Sequence, residues 1–271
     1  MRYRRLIVLS TILAFMLIVC LCLVWLFKVS ETEISVTGKD TGDVYVSADK
    51  ALENVALGKN ILFLSTDEIK AELEKDPYVE VKNVEKVFPS KIKAAILKRE
   101  ERFAYFDGGS YYYADENFVY LKKSDVLSGD NVIKVEVTGK EFDFDGSALG
   151  KPFPFSSDDI LGYAEVITES IPDKFNIVAE ISVDGEKNRL YFKTVTGTNL
   201  EFRFNYGNKS PTEEEKRAAG KAICEKTSAV VECYYSLGEA EKSSGSVLCY
   251  VTDNFSVIVE YDGPTEDEAY E

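Results

Sequence analysis

Residues 6–27 form a run of 22 residues without a charged side chain, preceded by Met1-Arg2-Tyr3-Arg4-Arg5. As a helix rising about 1.5 Å per residue, the run spans about 33 Å, enough for a hydrocarbon core of about 30 Å. It lacks the polar breaks that would give a buried globular helix its stripe. A cleaved signal sequence has a shorter apolar core and small residues at its end. Here the run ends in Trp25-Leu26-Phe27-Lys28-Val29, so an uncleaved transmembrane helix is expected. Arg2, Arg4 and Arg5 resist translocation and place residues 1–5 in the cytoplasm and residues 28–271 outside it.

Composition then narrows the function. Four of the 32 Lys and Arg residues lie in 1–28, so the exported part sets 28 bases against 47 acids. Such a surface repels nucleic acid, anionic lipid and teichoic acid. The chain has no histidine, which removes the commonest general base and the commonest metal ligand and rules out Ser-His-Asp and Cys-His sites. No metal site, cofactor or small-molecule substrate is expected. Paired carboxylates remain the one catalytic device open to it, against the far more frequent solvated pair. Cys224, Cys233 and Cys249 form an odd exported set with no metal-ligand spacing, open to one disulfide plus a thiol or to three thiols.

Periodicity places the elements. Residues 31–38 alternate β-branched and polar side chains up to Gly38, as a strand does. Ser47 is expected to cap a helix carrying Leu52, Val55 and Ala56 and ending at Gly58. Thr66 is expected to cap a second helix with Ile69 and Leu73 on its apolar face, stopped before Pro77. Strands follow over Val79, Val81 and Val84, and over residues 91–98 with Ile92, Ala94 and Ile96 on one face. The order β-α-α-β-β describes a compact α+β unit in which two helices cover one sheet face.

Farther on, Phe103 to Phe106, the Asp107-Gly108-Gly109-Ser110 turn and the Tyr111-Tyr112-Tyr113 run suggest a hairpin, with at least one tyrosine ring outside. A helix is expected over 158–170 and strands over 178–183, 190–195 and 200–204, with Glu201 and Arg203 facing water. A helix begins at Thr212, and strands are expected near 230–235, 247–252 and 255–261. Residues 263–271 read as a disordered acidic tail.

These pieces, in this order after one N-terminal apolar helix, resemble a POTRA domain, and more narrowly the DivIB/FtsQ family of bacterial cell-division proteins. The resemblance rests on Ile34-x-Val36-x-Gly38, Gly58-x-Asn60-Ile61-Leu62-Phe63-Leu64, Asp76-Pro77-Tyr78-Val79, Val84-x-Lys86 and Phe88-Pro89. It continues through Val137-Thr138-Gly139 and Leu149-Gly150-Lys151. Asn117 stands where that family has Gly, with Asn able to adopt the same left-handed backbone. Arg99-Glu100-Glu101-Arg102 lacks the proline usual at the family's domain junction.

The resemblance implies an α+β chain with the following parts: cytoplasmic tail 1–5, transmembrane helix 6–27, POTRA domain 28–99, mixed β-rich domain with flanking helices 100–262, and tail 263–271. It implies a non-catalytic, single-pass divisome scaffold at the division septum, organising septal peptidoglycan synthesis through extracytoplasmic contacts. Its partners would be DivIC/FtsB-like and FtsL-like bitopic proteins, with septal wall synthases reached indirectly. Carried onto this chain, the partner-binding segment is about 246–261, with Tyr250, Phe255, Val257, Val259 and Tyr261 as contact candidates. Strand alternation alone would turn about half of these side chains into the domain core. The competing readings are an anchored cell-wall enzyme using a carboxylate pair, and a POTRA component of a transport or assembly system.

Overall fold

The computed structural model describes residues 2–38, 42–129, 131–204, 212–252 and 256–263. The chain divides into two units, Met1–Arg99 and Glu100–Glu271. The acidic tail beyond 263 lies outside the described residues.

The first unit opens with helix α1 (Arg2–Leu26). The expected membrane span falls on it, but the side chains of residues 4–9, 20 and 22 are outside the described set. Among the described residues no helix is long and apolar enough to cross a membrane. Then come β1 (Glu31–Thr37), α2 (Gly42–Ala56), α3 (Thr66–Leu73), β2 (Val79–Val87) and β3 (Lys91–Lys98). The three strands lie in the order β1-β3-β2, with β1 parallel and β2 antiparallel to β3.

Alternation sends Ile34, Ile92, Ala94 and Ile96 under the two helices, where Leu52, Ile69 and Leu73 meet them. On the other face Glu31 and Glu33 pair with Lys91 and Lys93 across the β1–β3 register. These pairs are exposed and add little stability.

Two boundaries differ from expectation. α2 starts five residues before Ser47, because its buried stripe is Val44, Ala48, Leu52 and Ala56, a four-residue repeat that takes Ser47 inside. The cap of α3 is Ser65, whose hydroxyl accepts from Asp67 N and Glu68 N, and Thr66 is the first helical residue. A bulge between Val81 and Asn83 explains why the apolar positions of β2 read 79, 81 and 84 rather than strictly alternating.

The second unit contains β4 (Phe103–Asp107), β5 (Ser110–Ala114), β6 (Tyr120–Ser124), β7 (Ile133–Thr138), α4 (Ile160–Ser170), α5 (Lys174–Ile177), β8 (Val178–Asp184), β9 (Arg189–Thr194) and β10 (Asn199–Arg203). It ends with α6 (Glu213–Glu225), α7 (Thr227–Ser236), β11 (Ser246–Val251) and β12 (Val257–Asp262). All its strands join one sheet, in the order β12-β11-β10-β9-β8-β7-β4-β5-β6.

Of the three described parallel pairs, β4/β7 is joined through β5 and β6, while β7/β8 and β10/β11 are each bridged by a helical crossover. Those crossovers lay α4, α6 and α7 on one face. Ile167, Ile223 and Val230 there pack against Phe192, Phe202 and Cys249 of the strands.

Residues 230–235 are helical within α7, not a strand. Thr227, Val230, Val231 and Tyr234 repeat with helical period and are all buried, so packing overrides the strand preference of the β-branched residues. Glu201 does not face water: it is buried on the helix-free face, held by Arg203 Nε at 2.6 Å and Arg189 Nη1 at 3.3 Å. Of the three consecutive tyrosines, Tyr112 and Tyr113 are buried and only Tyr111 is half-exposed. Tyr113 escapes solvent on the second face because residues 126–128 cover it, its hydroxyl bonding Val126 O and Ser128 N.

The left-handed residue expected at Asn117 is Phe118, at φ 58°. Asp115 Oδ1 accepts from both Asn117 N and Val119 N and sets the turn. A β-carbon is unfavourable at that φ. The burial of Phe118, stacked on Phe103 with ring centroids 4.9 Å apart, outweighs the strain. Replacing Phe118 with Ala keeps the strained backbone and removes the ring, so a loss of about 3–5 kcal/mol is expected. Urea unfolding followed by near-ultraviolet circular dichroism checks it; a loss below about 1 kcal/mol would contradict this account.

Candidate partner-binding edge

β11 and β12 form an antiparallel hairpin at one end of the nine-stranded sheet. Thr252 N donates to Ser256 O at 2.8 Å, which makes Thr252 and Ser256 a hydrogen-bonded pair. In an antiparallel ladder such pairs alternate with non-bonded ones. Tyr250–Ile258 and Leu248–Glu260 are therefore bonded pairs, while Val251–Val257 and Cys249–Val259 are not. The N–H and C=O groups of Val257 and Val259 consequently turn away from β11, to the open side of the sheet.

The candidate side chains divide between the two faces. Val257, Val259 and Tyr261 are half-buried and pack against the helix-covered core. The Tyr261 hydroxyl also donates to Glu241 O or Ser244 O, at 3.2 and 3.3 Å. Tyr250 points to the opposite face, where its hydroxyl donates to Glu260 Oε1 at 2.9 Å. That bond raises the tyrosine above its ordinary pKa. Phe255 lies outside the described residues. The structure thus brings Tyr250 together with Ile258 and Glu260, two residues absent from the expected set. Ile258 is 38% exposed. Their signal was the strand alternation itself, since they interleave with the three inward residues.

The far edge of the same sheet is guarded. β6 carries Lys122 and Lys123, paired with Glu101 and Asp145. Its Tyr120 N–H and C=O are taken by Lys151 and Gly150. Lysines and a covering segment are the devices by which sheets block an edge. β12 has neither lysine nor proline, and among the described residues no strand pairs with its outer side.

Cys224, Cys233 and Cys249 are free thiols, with burial pushing Cys224 up to about 11 and Cys249 up to about 12. They are poor nucleophiles in that state. Among the described residues no group of three His, Cys, Asp or Glu is placed to hold a metal ion.

Residues 33–99 match the POTRA domain of the FtsQ type. Over 158 residues the chain is 25% identical to the cell division protein DivIB of Clostridium acetobutylicum, covering 57% of this chain and 61% of that relative's length. The extracytoplasmic domain of the trans isomer of DivIB from Geobacillus stearothermophilus aligns with 48% of this chain and 93% of its own, at 10% identity and a TM-score of 0.25. The first unit is thus that of a POTRA protein. Beyond that domain the chain is similar to the division protein DivIB, and it spans about three-fifths of the length of the relative it matches.

One carboxyl stands apart from the rest. Burial pushes Glu165 of α4 up to about 7, and Glu169 one turn on adds to the shift. Glu169 is exposed, so the two share a helix flank at the surface rather than facing each other across a cleft. A carboxyl whose folded pKa lies above its ordinary 4.5 binds its proton more tightly when folded. Stability then falls as pH rises from about 4.5 to about 7, and is level above that. Glu165→Gln should flatten that slope and raise the melting temperature at pH 8 by about 2–4 °C, after allowance for partial exposure. Melting curves between pH 4.5 and 8 check it; an unchanged slope in the variant contradicts it.

Proposed function

We propose that this chain is a non-catalytic scaffold of the bacterial divisome, anchored in the cell membrane by α1. In this reading the chain comprises cytoplasmic residues 1–5, a span at 6–27, a POTRA domain at 28–99 and a β-rich domain at 100–262. Residues 28–271 lie outside the cytoplasm. The anchor is supported by the uncharged run at 6–27 and by the apolar side chains of Leu13, Phe15, Leu17, Leu21 and Trp25, all exposed on α1. A helix apolar all round is a membrane span or lies buried among other helices. The arginines before it favour a cytoplasmic N-terminus.

The observation that carries the scaffold reading is the unguarded edge at β12. An extended segment of a bitopic DivIC/FtsB-like protein, itself paired with an FtsL-like one, would add to the sheet there as a tenth strand. Main-chain bonds to Val257 and Val259 supply the affinity, and alternate side chains of the incoming strand supply the specificity. Partners gathered in this way would position septal wall synthases without any chemistry by this chain. Similarity to a cell division protein and the POTRA match of the FtsQ type support the cellular role.

The test separates backbone from side chain. Val259→Pro removes an outward N–H and is tolerated on an edge strand, whereas Ile258→Pro removes a bond to β11 and disrupts the hairpin. Val259→Ala trims only an inward side chain. Co-purification of the full chain with DivIC/FtsB-like and FtsL-like partners should weaken at least about tenfold for Val259→Pro, equivalent to about 1.4 kcal/mol, and persist for Val259→Ala. Undiminished capture by the folded Val259→Pro variant, or normal septation in cells lacking the chain, would sink this reading.

A further inference from the structure

The segment joining α2 to α3 is stitched to the end of α1. Val29 N donates to Lys59 O at 2.8 Å, Gly58 N to Val29 O at 2.9 Å and Ile61 N to Phe27 O at 2.8 Å. Lys28 and Asn60 form an antiparallel bridge. Gly58 closes the turn at φ 78°, a conformation that side chains disfavour. The Phe27 ring meets the edge of Phe88, centroids 6.1 Å apart, so the β2–β3 turn reaches the same place.

Strand direction agrees. β1 and β3 start at this end and β2 finishes there, since Glu31 and Val87 both pair with Lys91.

Within this segment Ile61 and Leu64 are buried, but Leu62 and Phe63 point outward. Phe63 is 84% exposed, Phe88 57% and Leu57 40%, each on a segment that meets the end of α1, where Trp25 is 80% exposed. At the same end is an open recess of about 550 Å³, with Trp25, Leu26, Leu57 and Pro89 among its walls. Lys28 and Lys59 are exposed at the same end. Large rings bared to water in one cluster mark an interaction surface. Their continuity with the bare apolar flank of α1 identifies what covers them. A Trp and Phe cluster with neighbouring lysines is the composition of a membrane–water boundary.

We propose that this end of the POTRA domain is a second membrane contact. Leu57, Leu62, Phe63 and Phe88 enter the headgroup–acyl boundary of the bilayer that α1 crosses, and Lys28 and Lys59 reach lipid phosphates. This rests on the anchor reading of α1. Insertion of apolar side chains drives the contact rather than the protein's overall charge, which is negative and opposes docking on anionic lipid. The consequence is a POTRA domain seated on the bilayer instead of swinging from it.

Trp25 is the sole tryptophan, which makes the experiment direct. The full chain is placed in phosphatidylcholine vesicles whose acyl chains carry bromine near the headgroup, and tryptophan emission is compared with unbrominated vesicles. Three proteins are measured: the natural chain, Trp25→Phe/Phe63→Trp, and Trp25→Phe/Tyr45→Trp. Tyr45 is exposed near the start of α2, at the other end of the domain, and serves as the control. Both reporters replace exposed rings, and circular dichroism verifies the fold.

Quenching of the natural chain and of the Phe63→Trp reporter, with no loss from the Tyr45→Trp reporter, is expected. Quenching of Trp25 with a Phe63→Trp reporter as bright as the control overturns the second contact and leaves the anchor standing. An unquenched Trp25 overturns both.

Discussion

Parallel strand pairs cannot be joined by a tight turn, and the second unit follows from that constraint. β7/β8 and β10/β11 each require a crossover long enough to carry helices, and both crossovers pass over the same face. Among the described residues no helix of these crossovers covers the opposite face. It manages with charge: Glu201 lies between Arg189 and Arg203, and Lys134 lies between Glu136 and Glu180. Once α7 has returned the chain to the sheet, β11 takes the parallel place beside β10. The hairpin that follows can only extend the sheet outward, and β12 becomes its last strand.

At β12 the work is split between side chain and backbone. Val257, Val259 and Tyr261 hold the strand to the core, so the strand remains ordered without an outer neighbour. The main-chain groups of Val257 and Val259 are thereby preset in extended geometry, and a pairing segment need not order them at the moment of binding. In the proposed reading the half-buried valines would act through the backbone they fix. Tyr250, Ile258 and Glu260 lie together on the other face, where an added strand would lie beside Ile258 and Glu260.

How much of this could be read in advance depended on whether a signal was local. β3 occupies 91–98 as its alternation indicates, and β8, β9 and β10 fall within a residue or so of their apolar patterns. The helix expected to begin at Thr212 is α6, with Thr212 as its cap. Local preference misled where packing decided. The β-branched run at 230–235 favours a strand in isolation, yet its buried positions 227, 230, 231 and 234 suit only a helix. Phe118 adopts a backbone that suits Asn, because Asp115 holds the turn and Phe103 offers a stacking partner. At the candidate site, alternation could say that some of Tyr250, Val257, Val259 and Tyr261 point inward. It could not say that β12 is terminal, because strand order is set by pairings between residues far apart in the chain, such as Asn199 with Ser246.

The smaller sheet has two edges of its own, and each is less suited to receive a segment than β12. β2 carries a bulge between Val81 and Asn83 that breaks its ladder, together with Lys82 and Lys86 along the strand. Bulges and lysines both discourage pairing. β1 begins only a few residues after α1, and its exposed face carries Glu31 and Glu33 engaged with Lys91 and Lys93. An incoming strand there would meet charge along its flank and crowd the point where the helix joins the domain. In the proposed reading, edge recognition therefore falls to the second unit.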